Sequence, residues 1–225
     1  MNSDRSWIYR KIQNHLHESA AVKRGMAGIL GDGAFSVAAS APAAPPPTIA
    51  AIAHAAEIIA DAFRNGGKLL LCGNGGSAAD CQHMAAEFVS KLRKTDRPRR
   101  ALPALALTTD TSFLTAYAND VGVENIFSRQ IEALGKPQDV LIAISTSGAS
   151  PNILRAVAAA REVGLKTIAL TGSGGRLGAM ADVSITVPST TVAHIQEAHL
   201  AIEHVICELV ENLTFGRGDT AEGAV

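Results

Sequence analysis

The sequence predicts an α/β protein built on a flavodoxin-like, doubly wound sheet of five parallel strands, with extra helices at its N-terminus. Two observations lead to this fold class. Five short, almost continuously apolar runs follow one another after residue 67 of the 225-residue chain, and helical patterns lie between them. Strands that alternate with helices form parallel sheets covered on both faces, and strands buried on both faces are apolar along their length.

The individual elements follow from these patterns. The predicted strands are Lys68–Cys72, Leu105–Thr108, Val140–Ser145, Thr167–Thr171 and Val183–Val187. The predicted helices that accompany them are Ala78–Leu92, Thr111–Leu134 in one or two pieces, Pro151–Val163 and Val192–Leu213. We interpret the glycine-rich segment Thr171–Gly175 as a turn.

The N-terminal part of the chain contains helical patterns but no strand. Residues 4–29 predict a loosely amphipathic helix that ends at Gly31–Gly33, and Ile49–Phe63 predicts a second helix. The alanine- and proline-rich residues 34–48 are typical of a linker. We therefore divide the chain into residues 1–48, an N-terminal helix and linker within the same unit, a main domain at 49–213 and a flexible tail at 214–225. Because the two helices have no strand to accompany, we expect them on the outside or, preferentially, against another subunit.

Composition excludes several classes of protein. The net charge of −1 gives no global electrostatic reason to bind nucleic acid. The three cysteines, Cys72, Cys81 and Cys207, form no close pair, which favours a reducing compartment over a disulfide scaffold. The N-terminus lacks the apolar region of a signal peptide, and no apolar run approaches the roughly 18 residues of a membrane span. We therefore expect a soluble cytoplasmic protein.

Ligands bind open parallel sheets beyond the carboxyl ends of the strands, so the loops after strands are the first candidates. The glycine turn after the first strand, Gly73–Ser77, lacks the Gly-Lys-Ser/Thr of a P-loop. It fits the loose dinucleotide fingerprint, but the nearest candidate for the acidic residue about 20 positions on is Asp96, in a basic polar loop. We therefore set nucleotide binding aside. A tight strand-to-helix turn with Ser77 as N-cap is an equally good interpretation.

The loop after the third strand is a better candidate for a phosphate site. Residues Ser145–Ser150, STSGAS, include four hydroxyl side chains and lead into a helix that begins at Pro151. Hydroxyls and backbone amides at a helix N-terminus can surround a phosphate, and proline suits the first helical turn. The loop has no lysine or arginine, so amides and dipoles would balance the charge. An ordinary serine cap needs fewer hydroxyls, so we favour the phosphate site.

Histidine and carboxylate side chains on two helices could bind a metal or transfer protons. His83 and Glu87 are four residues apart and share a helix face, although a weak surface pair would look the same. On the last helix, Gln196 and His204 lie about 80° apart on a helical wheel. Glu203 lies nearer to Gln196 in azimuth, and spacing alone does not choose between Glu203 and His204. Histidine, glutamate and glutamine would suit zinc or another divalent metal, and a carboxylate beside a histidine equally suits proton transfer next to a carbonyl.

Three segments, CGNGGSAAD, STSG and HIQEAHLAIEH, together resemble the SIS (sugar isomerase) domain family, and most closely its phosphoheptose isomerases. The resemblance covers about Ile49 to Glu211. It implies a homotetramer with a flavodoxin-like core, a sugar phosphate substrate and one zinc ion per subunit. The implied reaction converts sedoheptulose 7-phosphate to D-glycero-D-manno-heptose 7-phosphate through an enediol. That aldose–ketose isomerisation is the first step toward nucleotide-activated heptoses for lipopolysaccharide and other glycans.

The resemblance also implies a role for each residue of the matching motifs. The implied substrate contacts are Asn74, Gly75, Gly76, Asn119, Asp120, Ser145, Thr146, Ser147, Ser150 and Gln196, with the hydroxyl residues on the phosphate. The implied zinc ligands are His83, Glu87, Gln196 and His204. Glu87 and His204 would also be the acid–base pair. Because a metal ion lowers the pKa of a bound carboxylate, Glu87 could alternate between ligand and base.

Other members of the same family provide alternative functions. One binds the bacterial replication initiator without known catalysis; it shares the glycine turn, the histidine at position 83 and the RIQE-like segment, but lacks the residues equivalent to Glu87 and His204. A sugar-phosphate-sensing regulatory domain is disfavoured, because the sequence shows no helix-turn-helix or basic extension.

Two segments depart from the family pattern. Residues 30–48 are longer than expected, and the basic segment Arg93–Arg100 predicts a solvated loop that could also attract an anionic substrate.

Overall fold

A computed structural model describes residues 6–29, 44–92 and 99–216 of the chain. The strands are β1 Leu69–Gly73, β2 Ala104–Ala106, β3 Val140–Ser145, β4 Lys166–Thr171 and β5 Val183–Thr186. The helices are α1 Ser6–Met26, α2 Pro47–Arg64, α3 Gly76–Val89, α4 Thr111–Asp120, α5 Ser128–Leu134, α6 Pro151–Val163, α7 Leu177–Met180 and α8 Val192–Phe215, with one 3₁₀ turn at Val123–Asn125. Among the described residues, no helix combines the length and the apolar character needed to cross a membrane.

The five strands form one parallel sheet in the order β2-β1-β3-β4-β5. This is the flavodoxin-like order, so the predicted fold class is confirmed. Side chains of β1 alternate between two apolar layers: Leu69 and Leu71 pack with α2, α3 and α8, whereas Leu70 and Cys72 pack with α5 and α6. Both faces of the sheet are therefore covered, which explains why the strands are apolar without interruption.

Helix α2 belongs to the core of this chain. Ala55, Ile59 and Phe63 are fully or almost fully buried and belong to the same apolar layer as α3 and α8. The expectation that this helix lies outside or against another subunit is therefore wrong. Its alanine-rich face allows the helix to approach α8 closely. Helix α2 therefore packs in the core although no strand precedes it in the sequence.

Helix α1 packs along α8 through polar contacts, and its last turns place Val22 and Met26 against the apolar layer. Glu197 of α8 accepts a hydrogen bond from Ser19 and lies 2.7 Å from His15 Nε2. Ser19 is the one buried residue of this helix, whereas Trp7 and Leu16 are both 63% exposed. The helix ends at Met26, before the predicted glycine segment, and Gly28 takes a positive φ of 71° just beyond it.

Several predicted features lie outside the described residues. These are the start of the first helix at residues 4 and 5, most of the predicted linker, and the tail from residue 217. Within the described residues, α8 continues to Phe215, two residues past the predicted boundary at 213.

The structure adds two details to the predicted helices. The pattern Thr111–Leu134 divides into α4 and α5, and Gly122 between them has a φ of 117°, which other residues rarely adopt. The predicted turn after β4 leads into α7, which the sequence did not predict because four residues are too few to show a helical period.

Arg99, from the basic segment 93–100, is not solvated. Residues 93–98 lie outside the described part of the chain, but the Arg99 side chain is only 11% exposed and pairs with Glu211. Its guanidinium donates hydrogen bonds to the carbonyl oxygens of Glu87, at 2.8 Å, and Phe88, at 2.9 Å. For Arg99 the solvated-loop prediction is wrong, because the carbonyls at the C-terminal end of α3 need donors and favour a positive charge.

Candidate active site

The glycine turn between β1 and α3 is shaped by close backbone approaches. A Cβ atom at Gly73 would lie 2.6 Å from the carbonyl oxygen of Ser77. Gly75 has a φ of 55° and occupies the N-cap position, where no side chain caps the helix. Ser77 lies inside the first turn and is buried, so its interpretation as the N-cap is wrong. The turn thus begins α3 in a geometry that only glycines adopt easily.

Helices α3 and α8 bring three of the predicted metal ligands together. His83 Nε2 lies 2.8 Å from His204 Nε2 and 3.7 Å from Glu87 Oε1. Each of the three side chains offers a ligand atom within 4.8 Å of the other two. The predicted pairing of His83 and Glu87 on one helix face is confirmed, and His204 joins them from a helix more than a hundred residues later.

These three side chains fit a divalent metal ion. Glu87 Oε2 is buried and has no hydrogen-bond partner among residues 6–29, 44–92 and 99–216, which is unfavourable unless a cation or a proton occupies the space beside it. Two imidazole nitrogens and a carboxylate oxygen form a donor set that metals such as zinc prefer. The same set can also transfer protons, since a carboxylate and a histidine lie side by side.

The fourth predicted ligand, Gln196, lies at the beginning of α3. A Cβ atom at Gly76 would be 2.2 Å from Gln196 Nε2 and 2.6 Å from Oε1, so the amide lies directly against this glycine. Asp80 lies one helical turn after Gly76, and interactions with Gln196 and His83 both act to lower its pKa. Gln196 therefore lies at the start of the helix that carries Asp80, His83 and Glu87.

Glu203, the alternative to His204 on α8, has a different environment. It is 1% exposed, and neither of its carboxyl oxygens has a hydrogen-bond partner among the described residues. Burial, with a further contribution from the nearby Asp80 carboxylate, raises the pKa of Glu203 to about 8. The structure therefore assigns His204, and not Glu203, to the group formed with His83 and Glu87.

Asp80 is a site residue that the sequence analysis missed. It is 7% exposed, and its Oδ2 atom is buried with no hydrogen-bond partner in the described part of the chain. Burial raises the pKa of Asp80, although the hydrogen bond from Gln196 and the proximity of His83 act in the opposite direction. Its position four residues after Gly76 and three before His83 was the available signal, because those spacings place all three on neighbouring positions of one helix.

The hydroxyl loop after β3 converges on one point. Ser145 Oγ lies 3.4 Å from Ser147 Oγ and 3.3 Å from Ser150 Oγ, and Ser147 Oγ accepts a hydrogen bond from the Ala149 amide. Thr146 is part of the same loop, and its carbonyl accepts from the Gly172 amide. The N-terminus of α6 begins directly after this loop, so three hydroxyls and a helix N-terminus lie together as a phosphate site requires.

A pair of asparagines joins the glycine turn to the hydroxyl loop. Asn74 and Asn152 exchange two hydrogen bonds of 2.9 and 2.8 Å, each amide donating to the oxygen of the other. Asn152 lies in the first turn of α6 and was not predicted as a site residue. The sequence spacing between Asn74 and Asn152 does not predict this contact, because the contact depends on β1 and β3 being neighbours in the sheet.

Asn119 and Asp120, two of the predicted substrate contacts, lie away from the group of His83, Glu87 and His204 within this chain. They form the exposed C-terminal end of α4 and hydrogen-bond to each other at 2.8 Å. None of the described contacts connects them to His83, Glu87 or His204.

Comparisons with known proteins support the same family. A sequence profile of the SIS domain matches residues 42–172. The phosphoheptose isomerase of Roseiflexus sp. strain RS-1 is 56% identical over 170 residues, covering 75% of this chain and 83% of that protein. The phosphoheptose isomerase of Chlorobaculum parvum is 57% identical over 165 residues, covering 72% and 78%. The structure of phosphoheptose isomerase from Neisseria gonorrhoeae superimposes with a TM-score of 0.77 at 40% identity, covering 91% and 99%.

The parallel sheet, the glycine turn and the hydroxyl loop define a SIS domain, and the chain belongs to this family. Within the family it is a phosphoheptose isomerase, as its identity to these relatives over most of both chains shows. The predicted family, fold and enzyme class are therefore confirmed.

Proposed function

We propose that this enzyme converts sedoheptulose 7-phosphate to D-glycero-D-manno-heptose 7-phosphate, the first step of nucleotide-activated heptose biosynthesis. The observation that supports the proposal is the group of His83, Glu87 and His204, whose ligand atoms all lie within 4.8 Å of one another. This group supplies the base, the acid and the metal donors that an aldose–ketose isomerisation needs. The alternative, a protein that binds the replication initiator without catalysis, would not need Glu87 and His204 together.

In the proposed reaction, Glu87 removes a proton from C1 of the ketose, next to the C2 carbonyl, and gives an enediol. His204 moves protons at the two oxygens, since the O1 hydroxyl must lose a proton and the C2 carbonyl oxygen must gain one. Return of a proton to C2 then completes the aldose. Glu87 Oε2 has no hydrogen-bond partner among the described residues, which supports a role for it in proton transfer.

His83, Glu87, Gln196 and His204 would hold one zinc ion per subunit. Bound zinc would polarise the carbonyl and hydroxyl oxygens of the substrate and so favour the enediol. Asn74, Gly75, Gly76, Gln196, Asn119 and Asp120 are proposed to contact the sugar. Ser145, Thr146, Ser147 and Ser150 are proposed to hold the phosphate, which the convergence of three of these hydroxyls supports.

We also propose that the enzyme is a cytoplasmic homotetramer. Trp7, Ile12 and Leu16 of α1 are 63%, 52% and 63% exposed in the single chain, which leaves an apolar surface for another subunit to cover. All three cysteines are free and buried, which suits a reducing compartment. Asn119 and Asp120, exposed on α4, could then reach the sugar of a neighbouring subunit.

A direct assay tests the proposed reaction. Purified protein incubated with zinc and sedoheptulose 7-phosphate should form the aldoheptose phosphate, and a strong chelator should remove the activity until zinc is restored. Fructose 6-phosphate serves as the control ketose, and it should react far more slowly. Absence of turnover with zinc present would favour the binding protein over the enzyme.

Gly148 provides a separate test of the phosphate site. Its φ is 61°, and a Cβ atom there would lie 2.3 Å from the carbonyl oxygen of Gly174. Gly148→Ala should therefore distort the hydroxyl loop and raise the KM for the sugar phosphate by about 10-fold, equivalent to the loss of roughly one charged hydrogen bond of 1.4 kcal/mol. Steady-state kinetics would measure this change.

The matched control for this variant is Gly66→Ala. Gly66 has a similar φ of 76°, but its Cβ would meet nothing within 4 Å. Both variants should lose about 1 kcal/mol of stability from the strain of a positive φ, and Gly148→Ala should lose more because its Cβ also meets the Gly174 carbonyl. Only Gly148→Ala should raise KM. An unchanged KM in Gly148→Ala would argue that the phosphate binds elsewhere.

A further inference from the structure

Asp80 lies between residues to which the proposed function gives roles, although it has none itself. It is almost fully buried on α3, one helical turn after Gly76, the glycine against which the Gln196 amide lies. Its Oδ2 atom has no hydrogen-bond partner among the described residues, and interactions with Gln196 and His83 act to lower its pKa. Glu203 of α8 is also buried, and the charge of Asp80 contributes to the raised pKa of Glu203. A buried carboxyl group that contacts a substrate- or metal-binding amide is well placed to control that amide.

Gln196 presents a problem of orientation. Its carboxamide has an oxygen at one end, which can bind a metal or accept a hydrogen bond, and an NH₂ group at the other, which can only donate. The two ends have nearly the same shape. Gly76 contacts both, because a Cβ at this position would lie 2.2 Å from Nε2 and 2.6 Å from Oε1. Packing against Gly76 therefore does not determine which end faces the site.

We propose that Asp80 is a positioning residue that fixes the orientation of the Gln196 carboxamide by accepting a hydrogen bond from its Nε2 group. An ionised carboxylate only accepts hydrogen bonds, so it selects the NH₂ end of the amide and leaves Oε1 for the metal or the substrate. This inference rests on the proposed function of Gln196. It assigns Asp80 an indirect role, since Asp80 acts through Gln196 and not on the reacting atoms.

The first measurement is the zinc affinity of the full-length protein. Zn²⁺ would be titrated in competition with a chromophoric chelator, with thermal unfolding recorded on the same samples. Asp80→Ala should weaken zinc binding about 10- to 100-fold, the usual cost of removing a residue that orients a ligand. Asp80→Asn should lose less but still measurably, because its amide can accept from Nε2 or donate to Oε1 and so no longer selects one end of Gln196. Asp61→Ala is the matched control, an exposed helical aspartate on α2 that should leave zinc affinity unchanged.

A double-mutant cycle separates orientation from general packing. Gln196→Glu replaces the amide with a carboxylate whose two ends are both oxygens, so no partner is needed to choose between them. In this background Asp80→Ala should cost no zinc affinity, and removal of the like charge should even improve it. An equal loss in both backgrounds would overturn the proposal, because it would show that Asp80 acts independently of the amide.

The outcomes also distinguish this inference from the proposed function. If the wild-type protein binds zinc and isomerises its substrate, but Asp80→Ala and Asp80→Asn bind zinc normally, the inference alone is wrong. If the wild-type protein binds no zinc, the proposed metal site fails and the inference fails with it. Asp80→Asn keeps the shape of the side chain, so the test does not depend on the folding of Asp80→Ala.

Discussion

Glu87→Gln should lower the turnover number by about 10³-fold while leaving the protein folded. Glutamine has nearly the same shape as glutamate but does not act as a base, and a positioned general base contributes about 10²- to 10⁴-fold to a rate. Initial rates with sedoheptulose 7-phosphate would measure the loss. Exchange of solvent deuterium into the substrate should fall in parallel, because the enediol is the species that exchanges its proton.

Two controls separate the roles that Glu87 could have. Glu57→Gln changes an exposed glutamate on α2 and should keep full activity. Zinc content, measured on the purified Glu87→Gln protein, tests the ligand role. If excess zinc restores turnover in this variant, Glu87 is a metal ligand and another residue is the base. If the variant is fully active without added zinc, Glu87 has neither role.

Asp139→Ala should have the largest effect on stability, with a loss of about 3–5 kcal/mol in the free energy of unfolding. The Asp139 side chain is 1% exposed and forms an ion pair with Lys68. It also accepts hydrogen bonds from the backbone amides of Lys68 and Lys136, both at 2.9 Å. These contacts connect the starts of β1 and β3, the central strands of the sheet. Removing the carboxylate leaves a partly buried lysine and two amides without their partner.

Urea denaturation at fixed protein concentration would measure this loss, because the stability of an oligomer depends on its concentration. Asp61→Ala removes an aspartate from an exposed pair with Arg64, and it should change the stability by less than about 1 kcal/mol. A similarly small change in Asp139→Ala would contradict the argument and indicate that water replaces the carboxylate at no great cost.

The fold was predictable because its signals are local. Strand β3 and helix α6 have the predicted boundaries, since apolar runs, hydroxyl residues and Pro151 mark them directly. The role of α2 was not predictable, because an alanine-rich helical pattern looks the same whether the helix packs on its own chain or on another. The burial of Arg99 was not predictable for a similar reason. A basic loop is normally solvated, and the sequence does not show that the carbonyls at the end of α3 face this arginine.

The candidate site divides in the same way. Helical periodicity alone placed His83 and Glu87 on one face, and the hydroxyl content of Ser145–Ser150 indicated an anion site. The choice between Glu203 and His204 was left open by spacing. It required the packing of α8 on α3, which buries Glu203 and directs His204 toward His83.

The sequence by itself determined the five strands and the long helices between them, the burial of the strands, and the family to which the chain belongs. These properties follow from the periodicity and the chemistry of residues that are close in sequence. Each short segment therefore shows them independently of the rest of the chain. Only the tertiary structure decided that Asn74 pairs with Asn152, that Gln196 lies across Gly76 beside Asp80, and that three metal donors meet. Such contacts join residues distant in sequence, and they depend on how helices and strands pack against one another.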